Sequence, residues 1–301
     1  MEVHLVDGTY ELFRHFYGKQ PSRRDPQTGL EISAARGVVA TVVQLLDDGA
    51  THVGVATDHT VESFRNDLWP GYKTGEGVDP ELWQQAHPSE DALRALGVAV
   101  WPMVEFEADD ALGAAATVAA ADPRVERVVI CTPDKDLGQC VGGKVVQFDR
   151  RNARILDADG VRAKFGVGPE SIPDYLALVG DTADGFPGLP GFGAKTAAAL
   201  LSHYGTIDAI PDDETEWAVS VRGAAKLGAT LRSGRADAEL FRTIATIRHD
   251  APVGAVDDWE WQGPDPSAWP EWRDRFGSAS LTTRVERMTE HRGLHGRRTG
   301  A

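Results

Sequence analysis

The sequence predicts an α/β fold with a mostly parallel central sheet, because strand-like and helix-like segments alternate along its first half. Three short apolar runs have the length and composition of buried strands: Val3 to Val6, His52 to Thr57 and Arg127 to Thr132. Aspartates follow each of them closely. The segments that follow parallel strands meet at one edge of the sheet, where functional groups gather. The fold class therefore also predicts where a site would lie.

Helices are predicted between these strands and are expected to flank the sheet. They cover Glu11 to Tyr17, Ala34 to Leu46 with Ser33 as the N-cap, Asp91 to Leu96, and the alanine-rich run Ala111 to Ala121. Segments 144–148 and 154–156 are typical of a hairpin. After a linker-like stretch at 165–169, the chain is helix-rich up to about residue 247. We therefore expect a second, helical domain.

Composition places few limits on the function. The chain has 301 residues, 42% hydrophobic and 26% charged, which is ordinary for a globular protein with one large or two moderate domains. Neither a membrane span nor a signal peptide is predicted, and the two cysteines lack disulfide or metal-ligand spacing, so we expect a cytoplasmic protein. The net charge of −15 argues against nucleic acid, but cations bound by a dense acidic cluster would remove that objection.

The densest acidic cluster is Glu107-Ala-Asp109-Asp110, directly before the alanine-rich helix. Acids at a helix start ordinarily just interact favourably with the helix dipole. Here further carboxylates follow the three strands and would reach the same edge. The full set of expected metal ligands is Asp7, Asp58, Glu107, Asp109, Asp110, Asp134, Asp136, Asp181 and Asp184. Without matching His or Cys ligands, this set favours Mg²⁺ or Mn²⁺, and two such ions can support phosphodiester hydrolysis by water.

The second informative stretch is the glycine-rich segment 180–196, which opens a predicted helix. Ala194 separates Gly193 from Lys195, so the segment is not a Walker A nucleotide-binding loop. It resembles a helix-hairpin-helix element, whose backbone amides hold a DNA phosphate without reading the base sequence. The expected DNA-binding positions are Gly188, Gly191, Gly193, Lys195 and Thr196. The alternative is a glycine-rich turn that only joins two helices.

Several ordered segments together resemble the 5′-nuclease family, which contains flap endonucleases and the 5′→3′ exonuclease domain of bacterial DNA polymerase I. The similarity runs from the N-terminus to about residue 290. The segments are Phe64-Arg65 with Pro70-Gly-Tyr-Lys73, Glu107-Ala-Asp-Asp110, Thr132-Pro-Asp-Lys-Asp-Leu-Gly-Gln139, the stretch 180–196, and Ala245-Thr-Ile-Arg248.

The resemblance implies a fold, an activity and roles for individual residues. The fold would be a PIN-like or resolvase-like α/β domain over 1–168, a SAM-like helix-hairpin-helix domain over 169–262, and an extension over 263–301 with a disordered tail after 290. The activity would be that of a monomeric, stand-alone, bacterial-type nuclease that acts on DNA with a free 5′ end or a 5′ flap. It would use two or more Mg²⁺ or Mn²⁺ ions, with K⁺ allowed at the hairpin loop.

Lys73 is similar to the family's active-site lysine, which contacts the scissile phosphate, and Arg65 would assist it. Residues 71–101 would form an arch around the 5′ strand. Tyr72, Arg14 and Arg36 are the remaining expected DNA contacts. Glu76 stands where the family often has an arginine, which weakens the expected grip of the arch on the substrate. Pro133 and Gly185-Phe186 also depart from the family motifs but leave the carboxylates intact.

Two other functions stay open at this point. One is an RNA-cleaving nuclease with the related PIN-like sheet, which the hairpin element disfavours because it suits B-form duplex. The other is a DNA-structure-binding protein without activity, which the complete set of carboxylates disfavours. Cleavage of DNA and RNA substrates with and without metal separates the three hypotheses.

Overall fold

The computed structural model describes residues 1–18 and 21–294. The described residues form six strands: β1 Glu2–Asp7, β2 His52–Asp58, β3 Ala99–Met103, β4 Arg127–Cys131, β5 Val145–Asp149 and β6 Arg154–Leu156. They form twelve α-helices: α1 Gly8–Phe16, α2 Ser33–Asp47, α3 Phe64–Leu68, α4 Pro80–Trp83, α5 Ala86–Ala95, α6 Ala108–Ala121, α7 Ala158–Phe165, α8 Ile172–Val179, α9 Ala194–Tyr204, α10 Ala224–Ala245, α11 Trp269–Phe276 and α12 Ala279–His291. No described helix is long and apolar enough to cross a bilayer.

The chain divides into two units, each assembled from separate segments. The first contains residues 1–60, 75–132 and 249–301, and the second contains 61–74 and 133–248. This division does not follow a single boundary near residue 168, and the predicted domain boundaries stay predictions. The part of the predicted tail from 295 to 301 lies outside the described residues.

A parallel four-stranded sheet in the order β3-β2-β1-β4 forms the centre of the first unit. The strands β1, β2 and β4 are mostly buried and rich in valine, as expected when both faces of a sheet are covered by helices. Gly54 in β2 lies directly against Trp101 of β3, and a Cβ there would come within 2.1 Å of the indole ring. The mostly parallel α/β fold predicted from the sequence is confirmed.

Two details of the first unit differ from the prediction. Ser33 is the first residue of α2 rather than its N-cap, which is Ile32. Ala99–Met103 pairs with β2 as a strand of the sheet, which the sequence did not predict, and α5 buries Ala92 and Leu93. The predicted arch at 71–101 includes parts of both elements and stays a prediction.

The C-terminal helices α11 and α12 pack on the first unit through arginine side chains. Arg275 pairs with the buried Asp25 at 2.5 Å, and Arg284 donates to Asp47 at the end of α2 over 3.0 Å. The extension is therefore an integral part of this unit.

The second unit is helical except for the antiparallel pair β5–β6, in which Phe148 pairs with Ile155. The predicted hairpin is confirmed, and residues 157–248 contain no strand. A hydrophobic core joins helices α8, α9 and α10 through side chains such as Leu176, Leu200 and Phe241. This core supports the loop between α8 and α9, which corresponds to the glycine-rich segment.

Candidate metal centre

Asp7 and Asp58 lie at the carboxyl edge of the parallel sheet in the first unit. Asp7 ends β1, and its two carboxylate oxygens accept from the Tyr10 amide at 2.8 Å and from the Thr132 hydroxyl at 2.9 Å. Asp58 ends β2, and its Oδ1 accepts from the Ala108 amide at 2.8 Å. These bonds hold both carboxylates in fixed orientations beside the start of α6.

Glu107 is the N-cap residue of α6, and Asp109 and Asp110 lie in the first turn of this helix. Asp110 is completely buried, and its Oδ2 accepts from the Glu107 amide at 2.9 Å. Glu107 is also buried, whereas Asp109 is partly exposed. The positive end of the helix dipole favours negative charge at this place. The same side chains can therefore interact favourably with the helix dipole and also serve as metal ligands.

In the second unit, Asp136, Asp181 and Asp184 converge. Each offers one carboxylate oxygen, and these three oxygens lie within 4.8 Å of one another. Asp136 is only 7% exposed, and its Oδ1 is buried without a hydrogen-bond partner. Burial, reinforced by the charges of Asp134, Asp184 and Asp181, raises the pKa of Asp136 well above its usual range. A buried, unpartnered oxygen among carboxylates is a site where a hard divalent cation fits.

The backbone builds this cluster from two turns. Asp134 Oδ1 accepts from the Asp136 amide at 3.0 Å, which fixes the turn after β4. Asp181 Oδ1 accepts from the Ala183 amide at 2.9 Å, and its backbone forms a bridge with the buried Phe186. Asp134 itself is exposed and does not belong to the converging trio.

Two lysines pair with this trio. The Lys73 ammonium lies 3.1 Å from Asp184 Oδ1, and the Lys135 ammonium lies 2.7 Å from Asp181 Oδ2. Burial alone would lower the pKa of Lys135, but the hydrogen bond to Asp181 and the neighbouring negative charges outweigh it and raise the pKa. Lys135 was not predicted as a site residue, although it lies inside the quoted motif between Asp134 and Asp136.

Lys73 is also attached to the acidic loop through its backbone. Its amide donates to the Asp184 carbonyl at 3.0 Å, and the Trp69 indole donates to the Gly185 carbonyl at 3.1 Å. The segment 69–73 and the loop 181–185 are thereby joined into one local structure. Lys73 therefore lies beside the acidic trio of this unit, while its contact with the scissile phosphate stays a prediction.

Arg65 does not have the surroundings expected of a catalytic residue. It is 3% exposed, and its guanidinium donates to the carbonyls of Ile244 and Thr246 at 2.8 and 3.2 Å. These bonds fasten α3 to the carboxyl end of α10. Assistance to catalysis by Arg65 stays a prediction, and these bonds give the residue a structural role as well.

Tyr72 does not have the exposure expected of a DNA contact. Its side chain is 3% exposed and belongs to the hydrophobic core of the second unit. The Lys73 ammonium lies 5.5 Å from the ring centroid. Tyr72 therefore supports the position of Lys73, and its direct contact with DNA stays a prediction.

The two arginines predicted to contact phosphate differ in their surroundings. Arg14 donates through Nε to Glu11 at 3.0 Å and through a terminal nitrogen to Thr41 at 3.2 Å. Glu11 is completely buried, so Arg14 offsets its charge. Arg36 is partly exposed on α2. Phosphate contacts by both arginines stay predictions, and Arg14 would have to serve two partners.

The glycine-rich loop ends at the start of α9. Gly193 is the N-cap residue, with no side-chain cap found within the described structure, and Gly193, Ala194 and Lys195 are exposed. Such a helix start offers unpaired amides to an anion. Gly188 has a φ of 67°, and a Cβ there would lie 2.4 Å from the Gly180 amide nitrogen. Gly188 thus closes the loop, while the exposed residues around Lys195 and Thr196 form the surface available to phosphate.

Family profiles match both parts of the chain. The profile described as 5′-3′ exonuclease, N-terminal resolvase-like domain, matches residues 2–166, and the one described as 5′-3′ exonuclease, C-terminal SAM fold, matches residues 167–267. The chain is similar to DNA polymerase I of Pseudomonas aeruginosa, with 36% identity over 269 residues that cover 86% of this chain and 28% of that protein. DNA polymerase I of Bacillus subtilis is 31% identical over 266 residues, 86% of this chain and 29% of its own length.

Solved structures show the same fold. Phage T5 5′-exonuclease with divalent zinc ions bound has a TM-score of 0.63 at 18% identity and covers 96% of this chain and 99% of its own. The catalytic core of Rad2 in complex with a DNA substrate has a TM-score of 0.61 at 14% identity and covers 94% and 90%. At these identities the structures support the fold alone. The profile matches show that this chain belongs to the 5′-3′ exonuclease family.

Proposed function

We propose that this protein is a structure-selective 5′→3′ exonuclease and flap endonuclease that hydrolyses DNA phosphodiester bonds in replication or repair. Its substrate is DNA with a free 5′ end or a 5′ flap at a duplex junction. Membership of the 5′-3′ exonuclease family supports the reaction class. The polymerases to which the chain is similar are more than three times longer, since the aligned part covers only 28% of their length.

The observation that carries the proposal is the trio Asp136, Asp181 and Asp184 with its buried, unpartnered oxygen. These carboxylates would hold Mg²⁺ or Mn²⁺ in the second unit. The further proposed ligands, for two or more ions in all, are Asp134 of the second unit and Asp7, Asp58, Glu107, Asp109 and Asp110 of the first unit. When bound, the ions would activate water and offset negative charge on the reacting phosphate.

Lys73 is the proposed catalytic cation of the chain itself. Its ammonium already lies 3.1 Å from Asp184, so a phosphate held by the metal centre would come within its reach. There it would offset the charge that develops on the phosphate oxygens in the transition state. Its backbone bond to Asp184 fixes this position without relying on the flexible side chain alone.

The proposed binding site for the DNA duplex consists of the exposed amides at the start of α9, together with Lys195 and Thr196. They would hold one backbone phosphate, with K⁺ as a bridging ion at the loop. Such a contact positions the duplex without selecting a sequence, which suits an enzyme that recognises structure. We propose that the protein acts as a monomer in the cytoplasm, where this DNA would be found.

Cleavage of three labelled substrates tests the proposal: a 5′-flap duplex, a blunt duplex and single-stranded RNA, each with Mg²⁺, Mn²⁺ or EDTA. We expect metal-dependent products from the flap duplex, released from its 5′ side. No metal-dependent product from either DNA substrate would refute the proposal. Cleavage of the RNA alone would instead identify an RNA-cleaving nuclease, and DNA binding without any product would identify a non-catalytic DNA-structure-binding protein.

A further inference from the structure

Lys135 brings a positive charge into the acidic cluster of the second unit. Its ammonium lies 2.7 Å from Asp181 Oδ2, and the side chains of the two residues are 35% and 4% exposed. A charge pair that is partly shielded from water interacts more strongly than a fully solvated surface pair. Lys135 also lies between Asp134 and Asp136 in the chain, so its position depends on the same turn that places Asp136.

Both carboxylate oxygens of Asp181 already have a donor. Oδ1 accepts from the Ala183 amide at 2.9 Å, and Oδ2 accepts from Lys135. A cation held by Asp181 together with Asp136 and Asp184 must therefore share or displace one of these donors. The amide is fixed by the backbone of the loop, whereas a lysine side chain has several rotatable bonds. Lys135 is consequently the donor that can give way.

We propose that Lys135 is an internal counter-ion that holds the Asp136–Asp181–Asp184 trio together without metal and competes with the divalent ion for it. This inference rests on the proposed metal centre and adds a regulator of its affinity. Neighbouring carboxylates repel one another unless a cation is present, and a single ammonium offsets only part of that repulsion. A divalent ion with close oxygen ligands offsets more of it and displaces the lysine.

The proposal predicts opposite effects of one substitution on two measured quantities. Lys135→Met removes the competitor, so Mn²⁺ should bind the trio more tightly, by ~10-fold for the loss of one unit charge close to the carboxylates. The same substitution leaves Lys73, beside Asp184, as the remaining ammonium paired with the metal-free trio, so the melting temperature in EDTA should fall. If Lys135 only packed against the trio, its substitution would leave the Mn²⁺ affinity unchanged or lower it.

The experiment is isothermal titration of Mn²⁺ into the full chain, combined with thermal melting in EDTA. The binding step that belongs to the trio is the one lost in Asp136→Asn. Lys135→Arg keeps the charge and should stay close to the wild type in both measurements. Lys226→Met is the matched control, because Lys226 is exposed on α10 and its removal changes the net charge equally. Lys135→Gln is the second variant if the methionine variant does not fold.

The outcomes separate the two proposals. If the wild type shows no Mn²⁺ binding step that depends on Asp136, the metal centre itself is refuted. If that step is present but Lys135→Met and Lys135→Gln bind Mn²⁺ no more tightly than the wild type, the counter-ion role is refuted and the metal centre stands. Equal tightening in Lys226→Met would also refute the specific role of Lys135.

Discussion

At the scale of single residues, Asp136 combines the strongest features of a metal ligand. It is buried, one of its oxygens has no donor, and two further carboxylates offer oxygens within 4.8 Å. Asparagine has nearly the same shape but replaces a negative oxygen by an amide. The comparison of Asp136→Asn with the wild type therefore isolates the charge that a divalent ion requires.

We predict that Asp136→Asn lowers the rate of flap cleavage by more than ~100-fold, since even outer-shell partners of a metal can cost 10- to 100-fold. The rate is measured with saturating flap DNA at several Mg²⁺ concentrations. Asp213→Asn, at an exposed aspartate of the same unit, is the control and should cleave normally. A fully active Asp136→Asn variant would contradict the assignment of the trio.

Lys73 and Lys195 are predicted to act on different steps. Lys73→Met should lower kcat by ~10²–10³-fold, because it removes a cation that acts on transition-state charge. Lys195→Met should leave kcat near its normal value and weaken DNA binding, with the slope of log affinity against log salt falling by about 1 for one lost phosphate contact. Single-turnover cleavage and fluorescence anisotropy measure the two effects. If both variants lost kcat and DNA affinity to the same extent, Lys73 could not be assigned to catalysis and Lys195 to DNA binding.

At the scale of elements, the chain needs glycines on the two sides of α9 for different reasons, at Gly188 in the loop before it and at Gly205, its C-cap. Gly188 and Gly205 both have positive φ, at 67° and 80°. A Cβ on Gly188 would lie 2.4 Å from the Gly180 amide nitrogen, whereas one on Gly205 would meet no atom within 4 Å. An alanine at Gly205 would therefore meet backbone strain alone, whereas an alanine at Gly188 would meet backbone strain and a steric clash.

We predict that Gly205→Ala lowers the free energy of unfolding by ~1 kcal/mol, which is the cost of positive φ for alanine. Gly188→Ala should cost ~3 kcal/mol or more, because the backbone must also move away from the new methyl group. Urea denaturation of the full chain measures both values. Equal losses would show that the loop can open at little cost.

The Glu31 carboxylate holds part of the segment before α2. Glu31 accepts from the amides of Arg23 and Ser33 at 2.9 and 3.0 Å and from the Ser22 hydroxyl. Burial alone would raise the pKa of Glu31, but these hydrogen bonds outweigh it and lower the pKa from 4.5 to about 2. The folded protein thus binds the proton of Glu31 less readily than the unfolded chain does.

A lowered pKa gives a defined pH dependence. The contribution of Glu31 to stability is complete above pH 4.5 and is lost as the pH falls towards 2. We therefore expect Glu31→Gln to be less stable than the wild type at pH 7, with the difference closing through this range. Glu239→Gln, at an exposed position on α10, is the control and should show no such difference. A difference that stays constant down to pH 2 would contradict the assignment.

The strands followed by aspartates and the helix-rich second half could be predicted because apolar periodicity and glycine placement directly reflect burial and turns. Strand β3 was missed because it contains Pro102, which is tolerated at the edge of the sheet but interrupts a strand-like pattern. The burial of Arg65 and Tyr72 was not predicted because a motif specifies residue identity but not exposure. Lys135 was overlooked because the carboxylates around it supplied a complete explanation of the motif.

At the scale of the whole molecule, the proposed function requires an acidic protein to bind a polyanion. The net charge is −15, and the proposed site concentrates carboxylates where a DNA phosphate has to come. Without cations these carboxylates should repel the substrate, with ~1 kcal/mol for each close pair of like charges in water. Divalent ions would then contribute to DNA binding as well as to hydrolysis.

We predict that flap DNA binds ~10-fold or more tightly in Ca²⁺ than in EDTA at constant ionic strength, because a bound hard cation converts local repulsion into attraction. The double variant Asp136→Asn with Asp184→Asn removes two of the repelling charges, so its affinity in EDTA should exceed that of the wild type. Asp213→Asn with Glu216→Gln removes the same charge from exposed positions elsewhere and should have a much smaller effect. Fluorescence anisotropy with labelled flap DNA measures all of these affinities. Equal wild-type affinities in Ca²⁺ and EDTA would show that the acidic cluster does not face the bound phosphate.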